Sequence, residues 1–127
     1  MLLLYLAVGG VLGTLARYGL GSWIYSWAGS ALPWGTLVVN LLGSFVLGFA
    51  LRASDALPIS PEMRGLVTVG FCGAFTTFST YTFETLALAQ QGEWGRAALY
   101  ALGSLVLGLL AMLAGLAAAG LLTRAGG

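Results

Sequence analysis

Between Thr76 and Thr85 the chain reads Thr-Thr-Phe-Ser-Thr-Tyr-Thr-Phe-Glu-Thr, which interleaves six aliphatic hydroxyls, one phenol and one carboxylate with two phenylalanines. No helix with that surface can face lipid all round, because an unpaired polar group in hydrocarbon costs several kcal/mol. The run must lie inside an assembly, with its hydroxyls and rings lining something. Two further rows carry polar groups at intervals of four: Thr36, Asn40, Ser44 and Gly48, and then Tyr100, Ser104, Gly108 and Met112. Each row falls on one helix face and gives it a hydrogen-bonding stripe. A single Ser or Thr in a membrane helix usually bonds its own backbone or a neighbour for about 1 kcal/mol, so packing accounts for Ser44. Asn40 is different. Its carboxamide has two donor hydrogens and a two-lone-pair acceptor to satisfy away from water, and so asks for a pore or a site.

The charges restrict what that chemistry can be. Only nine of 127 residues are charged, five Arg and four acids, with no Lys and no His. A Lys/Arg footprint for nucleic acid, a histidine metal cluster and a Ser-His-Asp triad are excluded together, and no base–nucleophile pair indicates an enzyme. Carboxylate rings that would select cations are also missing. What the chain offers is neutral donors: the Asn40 amide, the hydroxyls of Ser79, Thr80, Tyr100 and Ser104, and the electropositive edges of aromatic rings. Such donors suit a small anion, since they replace part of its hydration shell without holding it too tightly to leave. Arg17 near a mouth would raise the local anion concentration. Arg17 and Glu84 are the two charges expected within or near the membrane, where an ionisable side chain is a functional candidate by default unless it sits near a span end and snorkels. Cys72 is the only cysteine, excluding an internal disulfide, and reads as a small buried apolar residue.

The elements that must position these groups follow from the charge-free stretches, since a spanning helix needs about 20 mostly apolar residues. Four spans are expected, at about 3–26, 33–52, 61–91 and 94–122, within a single domain covering 1–127. Ala28–Trp34 splits the first long stretch with small turn residues, a proline suited to a helix start and an interfacial Trp. Ser60-Pro61-Glu62 supplies a cap, a first-turn proline and an acid matched to the helix dipole. Trp23, Trp27, Trp34 and Trp94 fall near expected ends, as an aromatic belt would. A cleaved leader in place of the first helix is disfavoured by its lack of a basic start and by Gly9, Gly10, Gly13 and Arg17 within the run.

Glycine occurs 20 times. Gly9, Gly13, Arg17 and Gly21 repeat every four residues and open one face of the first helix to close approach; Gly10, Gly43, Gly48, Gly115 and Gly120 are read as packing positions too. The third helix, 31 residues from Pro61 to Gln91, would be about 46 Å long against a hydrocarbon core of about 30 Å. It must tilt, protrude or break. Gly70 and Gly73 are where a break would cost least, and carbonyls freed there could bind a cation. Four spans place both termini on one side with Arg52, Arg64 and Arg124, against Arg96 and Arg17 toward the other. So slight a bias suggests insertion in both orientations, and with it an antiparallel homodimer.

Three blocks, Gly-Gly-Val-Leu-Gly-Thr-Leu-Ala-Arg-Tyr at 9–18, Gly-Thr-Leu-Val-Val-Asn-Leu-Leu-Gly-Ser-Phe at 35–45 and Gly-Phe-Cys-Gly-Ala-Phe-Thr-Thr-Phe-Ser-Thr-Tyr at 70–81, resemble the Fluc (CrcB) family of fluoride channels. The resemblance implies an all-α integral membrane protein with four spans and a broken third helix, inserted in the cell (inner) membrane. It also implies a dual-topology antiparallel homodimer with two parallel fluoride pores, and a structural Na⁺ at its centre held by the carbonyls of Gly73 and Thr76. Carried over by position, Phe78 is the first pore phenylalanine and Asn40 the polar pore residue of the second helix. Ser79 and Thr80 complete the Phe-Ser-Thr motif, Tyr100 and Ser104 begin the polar track of the fourth helix, Arg17 is the vestibule cation and Glu84 the acid after the break. Two positions depart from the pattern: Tyr81 stands where many relatives carry a second pore phenylalanine, and Gly108 where some carry a hydroxyl. The competing readings are a proton-coupled exporter resembling the small multidrug resistance transporters, which would need an acid in the first helix where only Arg17 is charged, and an accessory subunit, which would leave Asn40 and Phe78–Tyr81 without a purpose.

Overall fold

The computed structural model describes residues 1–126, and every regular element among them is helical. Three helices are long and apolar enough to cross a bilayer: α1 (Leu2–Ala28), α2 (Trp34–Ala56) and α6 (Trp94–Ala125). Between α2 and α6 the chain is helical in pieces: α3 (Pro61–Gly65), a π-helical stretch (Leu66–Phe71), α4 (Cys72–Phe75) and α5 (Phe78–Gln90). The expected start at Ser60 is realised in detail, with Ser60 Oγ accepting the Met63 N–H at 3.2 Å, Pro61 in the first turn and Glu62 beside it. At the other end Gly92, at φ 79°, turns the chain into α6, a backbone conformation that favours glycine.

α2 continues to Ala56, past the arginine at 52 where a span was expected to stop, and α1 and α6 also outrun their expected ends. The reason is physical. Charge marks where hydrocarbon gives way to water, whereas a helix runs on for as long as its i→i−4 bonds form, here up to the Leu57 N–H on Ala53 O at 2.9 Å.

Packing relies on backbone contact through glycine. A Cβ on Gly9 would collide with the Leu66 carbonyl, one on Gly13 with the Phe71 carbonyl, and one on Gly115 with the Phe45 carbonyl, so α1 lies directly against 66–71 and α6 against α2. Gly10 faces open space and Gly120 meets only the Arg52 side chain, so neither serves the within-chain packing expected of it. The buried apolar set is small, including Ile24, Val39, Cys72 and Phe75, while Leu3, Leu15, Leu102 and Leu121 are each more than 60% exposed. Such a surface belongs against lipid or another protein surface.

The interruption falls at Thr76 (φ −85°, ψ 158°) and Thr77 (φ −147°, ψ 119°), not at the glycines where it was expected to cost least. Gly70 lies in the π-helical stretch and Gly73 in α4. Gly70 is committed to α1, where a Cβ would press on the Leu6 carbonyl. The threonines bring their own replacements for helical bonds. Thr76 Oγ1 donates to Cys72 O at 2.9 Å, and Thr77 Oγ1 accepts the Thr80 N–H at 3.3 Å as the N-cap of α5.

Candidate functional site

Two neighbouring sets of polar groups converge on the segment 73–84. The first is the interruption. In a continuous helix the Thr77 N–H would donate to Gly73 O; here it donates to Asn40 Oδ1 at 2.7 Å, while Asn40 Nδ2 donates back to Thr77 O at 3.1 Å. One carboxamide thus spans the N–H and C=O of a single extended residue. Arg17 reaches across from α1 and its Nε donates to Ala74 O at 2.9 Å. The Thr80 N–H, which would serve Thr76 O, is taken by Thr77 Oγ1. The Gly73 and Thr76 carbonyls therefore lose their regular helical donors. Backbone carbonyl oxygens are hard donors of the kind that suits a monovalent cation, and among the described residues no group of three His, Cys, Asp or Glu could hold a metal. The fit is chemical: two carbonyls released from helical bonding, one from the extended Thr76 itself and one from Gly73 in the short helix before it.

Asn40, Ser44, Thr76, Thr77 and Phe78 line one open cavity of about 230 Å³ together with Gly43 and Leu47. Asn40 retains a second Nδ2 hydrogen for that space. Phe78 projects from the start of α5 and is 76% exposed. Ser79 is exposed beside it, its carbonyl accepting from Thr82 Oγ1 at 2.9 Å, and Thr80 is half-buried.

The second set surrounds Glu84. Thr36 Oγ1 donates to Oε1 at 2.6 Å, and the hydroxyls of Tyr25 and Tyr100 both donate to Oε2 at 3.3 Å. Helices α1, α2, α5 and α6 each contribute one member. The carboxylate accepts three hydroxyls at once, the kind of charge-assisted bonding that lets an acid sit among apolar helices. With both hydrogens committed to the carboxylate, the 3.4 Å approach of Tyr25 to Thr36 is a contact between oxygens.

Tyr81 links the two sets. Its ring lies 5.8 Å from that of Phe78 and meets Tyr100 edge-on at 5.4 Å. Its hydroxyl, the added group at this position, donates to Ala101 O at 2.7 Å and so ties α5 to α6. Ser104, one turn beyond Tyr100, has a buried hydroxyl with no protein partner. It lines a mostly apolar cavity of about 180 Å³ together with Tyr100, Leu37, Leu99 and Leu107.

The sequence-derived residues thus fall into two connected groups, with Arg17, Asn40, Gly73, Thr76 and Phe78 at the interruption and Tyr81, Glu84 and Tyr100 beyond it. Ser104 lies one turn further along α6, in the cavity that Tyr100 also lines. Tyr25 was missed by sequence reasoning and Thr36 was noticed only as part of a stripe. The signal for Tyr25 was present, because the row Gly9, Gly13, Arg17, Gly21 continues to position 25.

Residues 4–116 match the family model described as CrcB-like protein, Camphor Resistance (CrcB). Similar curated proteins carry the name fluoride-specific ion channel FluC. One from Thermus thermophilus is 55% identical over 107 residues, covering 84% of each chain. Another from Acidobacterium capsulatum is 48% identical over 114 residues, 89% of this chain and 91% of the relative. A third from Magnetococcus marinus is 48% identical over 117 residues, 91% and 95% respectively. With nearly the whole chain matched and an interrupted helix clamped by residues of the matching blocks, this protein belongs to the CrcB family.

Proposed function

We propose that this chain forms a fluoride channel of the cell (inner) membrane, through which F⁻ leaves passively and its toxicity is limited. The observation that carries the reading is the exposed Phe78 at a clamped interruption, beside a cavity floored by Asn40 and Thr77. Fluoride binds water strongly, so a path for it needs donors placed where the water is shed. The second Nδ2 hydrogen of Asn40, the unpartnered Ser104 hydroxyl and the ring edges of Phe78 and Tyr81 supply them without a fixed positive charge that would trap the ion. The terminal nitrogens of Arg17 hold positive potential near the interruption and draw anions toward it.

The functional unit in this reading is an antiparallel homodimer in which segments 61–90 act as the third, broken span. The outer face of α5 supports it: Phe78, Ser79, Thr82 and Phe83 are exposed, and hydroxyls on a lipid-facing surface are costly. A second copy would cover that face and bring its own Phe78 toward the Ser104 cavity, producing two equivalent paths. The carbonyls of Gly73 and Thr76 would hold Na⁺ at the centre, where the ion supplies positive charge to oxygens left without hydrogen-bond donors.

The test is passive efflux from liposomes recorded with a fluoride-selective electrode. The expected result is rapid F⁻ release with little Cl⁻ release. Phe78→Ile should slow release about fivefold, the effect of losing one ring-edge interaction of ~1 kcal/mol at the barrier. Proton-driven movement of organic cations with no F⁻ release would overturn the reading in favour of an exporter.

A further inference from the structure

Two of the five arginines have no counterpart in any bond described above. Arg64 pairs with Asp55 at 3.1 Å, Arg96 lies 3.8 Å from Glu93, and Arg17 bonds the Ala74 carbonyl. Arg52 and Arg124 form no ion pair among the described residues, and both line the same cavity of about 480 Å³. They come from different helices, near the C-terminal ends of α2 and α6, and meet because those helices pack together. The rest of the lining is apolar: Leu116, Ala117, Gly120 and Leu121. Gly120 lies beneath Arg52, where a Cβ would be in ordinary contact with Nε at 3.8 Å, so the Arg52 side chain lies against α6.

We propose that Arg52 and Arg124 bind the headgroup phosphate of an anionic membrane lipid, whose acyl chain lies along Leu116 and Leu121. Guanidinium groups match phosphate geometry with paired N–H donors. The acid nearest in sequence, Asp55, is already engaged by Arg64, so it does not neutralise the pair. An apolar floor directly beneath two cations suits a ligand that is charged at one end and hydrocarbon at the other. A soluble phosphate would leave that floor unused. The site lies at the α2 and α6 ends remote from Glu84 and Phe78, and it stands independently of which ion the protein conducts.

The test is native mass spectrometry of the full chain in detergent, titrated with phosphatidylglycerol, phosphatidylcholine or inorganic phosphate. The wild type should retain phosphatidylglycerol in preference to phosphatidylcholine. Arg52→Gln and Arg124→Gln should each weaken that binding about fivefold and the double variant about thirtyfold, at the usual strength of one arginine near an anionic surface. Arg96→Gln, at the opposite end of α6, should leave it unchanged. Both target side chains are exposed, and thermal unfolding of each single variant checks that the fold is kept. Equal retention of the two lipids by the wild type, undiminished phosphatidylglycerol binding by folded single variants, or displacement of the lipid by an equimolar amount of inorganic phosphate would each overturn the proposal.

Discussion

Replacing Asn40 by alanine removes both hydrogen bonds that hold Thr77 in its extended conformation. The Thr77 N–H, 2.7 Å from Oδ1, loses its acceptor in a half-buried setting, which costs about 1–3 kcal/mol, and loss of the 3.1 Å bond to Thr77 O adds about 1 kcal/mol. The sum, about 2–4 kcal/mol, is an upper bound on destabilisation, because the chain has one way to recover part of it. If residues 76–77 become helical, the Thr77 N–H can return to Gly73 O. That relaxation carries Phe78 around the helix and closes the interruption, so the variant keeps stability only by losing the site. Two measurements on one preparation separate these routes: unfolding in micelles followed by tryptophan fluorescence, and F⁻ efflux from liposomes. Efflux should fall at least about tenfold by either route, the equivalent of ~1.4 kcal/mol at the barrier. Ser44→Ala is the control, since Ser44 lines the same cavity but holds no part of the interruption, and it should unfold within about 0.5 kcal/mol of wild type. Wild-type efflux from Asn40→Ala would refute the clamp.

Tyr81→Phe removes the 2.7 Å bond to Ala101 O and keeps the ring, so it should lower unfolding stability by about 1 kcal/mol while leaving F⁻ efflux near the wild-type rate. Gly9→Ala would force a methyl group into the Leu66 carbonyl and should destabilise by about 1–3 kcal/mol, whereas Gly10→Ala, which meets nothing within the chain, should lose stability only if a second copy covers that face; comparing the two variants by unfolding at low and high protein-to-detergent ratio checks both. Glu84→Gln replaces a carboxylate that accepts three hydroxyls with a group that can accept at only one oxygen, and should cost about 1–3 kcal/mol, against less than about 1 kcal/mol for Tyr25→Phe, both read from unfolding curves.

Much of the architecture was legible because its causes are local. Ser60, Pro61 and Glu62 mark a helix start by their own chemistry. The glycine row of α1 announced close packing, and Gly9 and Gly13 do meet backbone. The position of the interruption was not legible from propensity. Glycine weakens a helix, yet Gly70 and Gly73 remain helical, and the residues that leave the helix are threonines: Asn40, which takes both backbone groups of Thr77, and Arg17, which takes the neighbouring Ala74 carbonyl, lie 37 and 57 residues from their partners in sequence. Local weakness identified candidates; distant donors decided among them. The same holds for Glu84. Its carboxylate signalled a site, but Tyr25 and Thr36 became its partners only when α1 and α2 were placed beside α5.

The interruption also separates two kinds of polar group. On the α4 side the freed atoms are carbonyls, those of Gly73, Phe75 and Thr76, with Ala74 O taken by Arg17. On the α5 side they are the N–H groups of the first turn, at Phe78 and Ser79, which a helix start leaves without carbonyl partners. A helix end rich in oxygens attracts cations and a helix beginning rich in N–H groups attracts anions. A two-residue extended segment places these opposite preferences side by side, with Arg17 on the Ala74 carbonyl as the one charged side chain bonded there. In the function proposed above, this arrangement would let one interruption offer acceptors to a cation and donors to an anion in a chain that has so few charges. It also explains why Asn40 is an amide rather than an acid or a base. Only a group with both a donor and an acceptor can satisfy the N–H and C=O of Thr77 together, and it does so while keeping one hydrogen for the cavity beside Phe78.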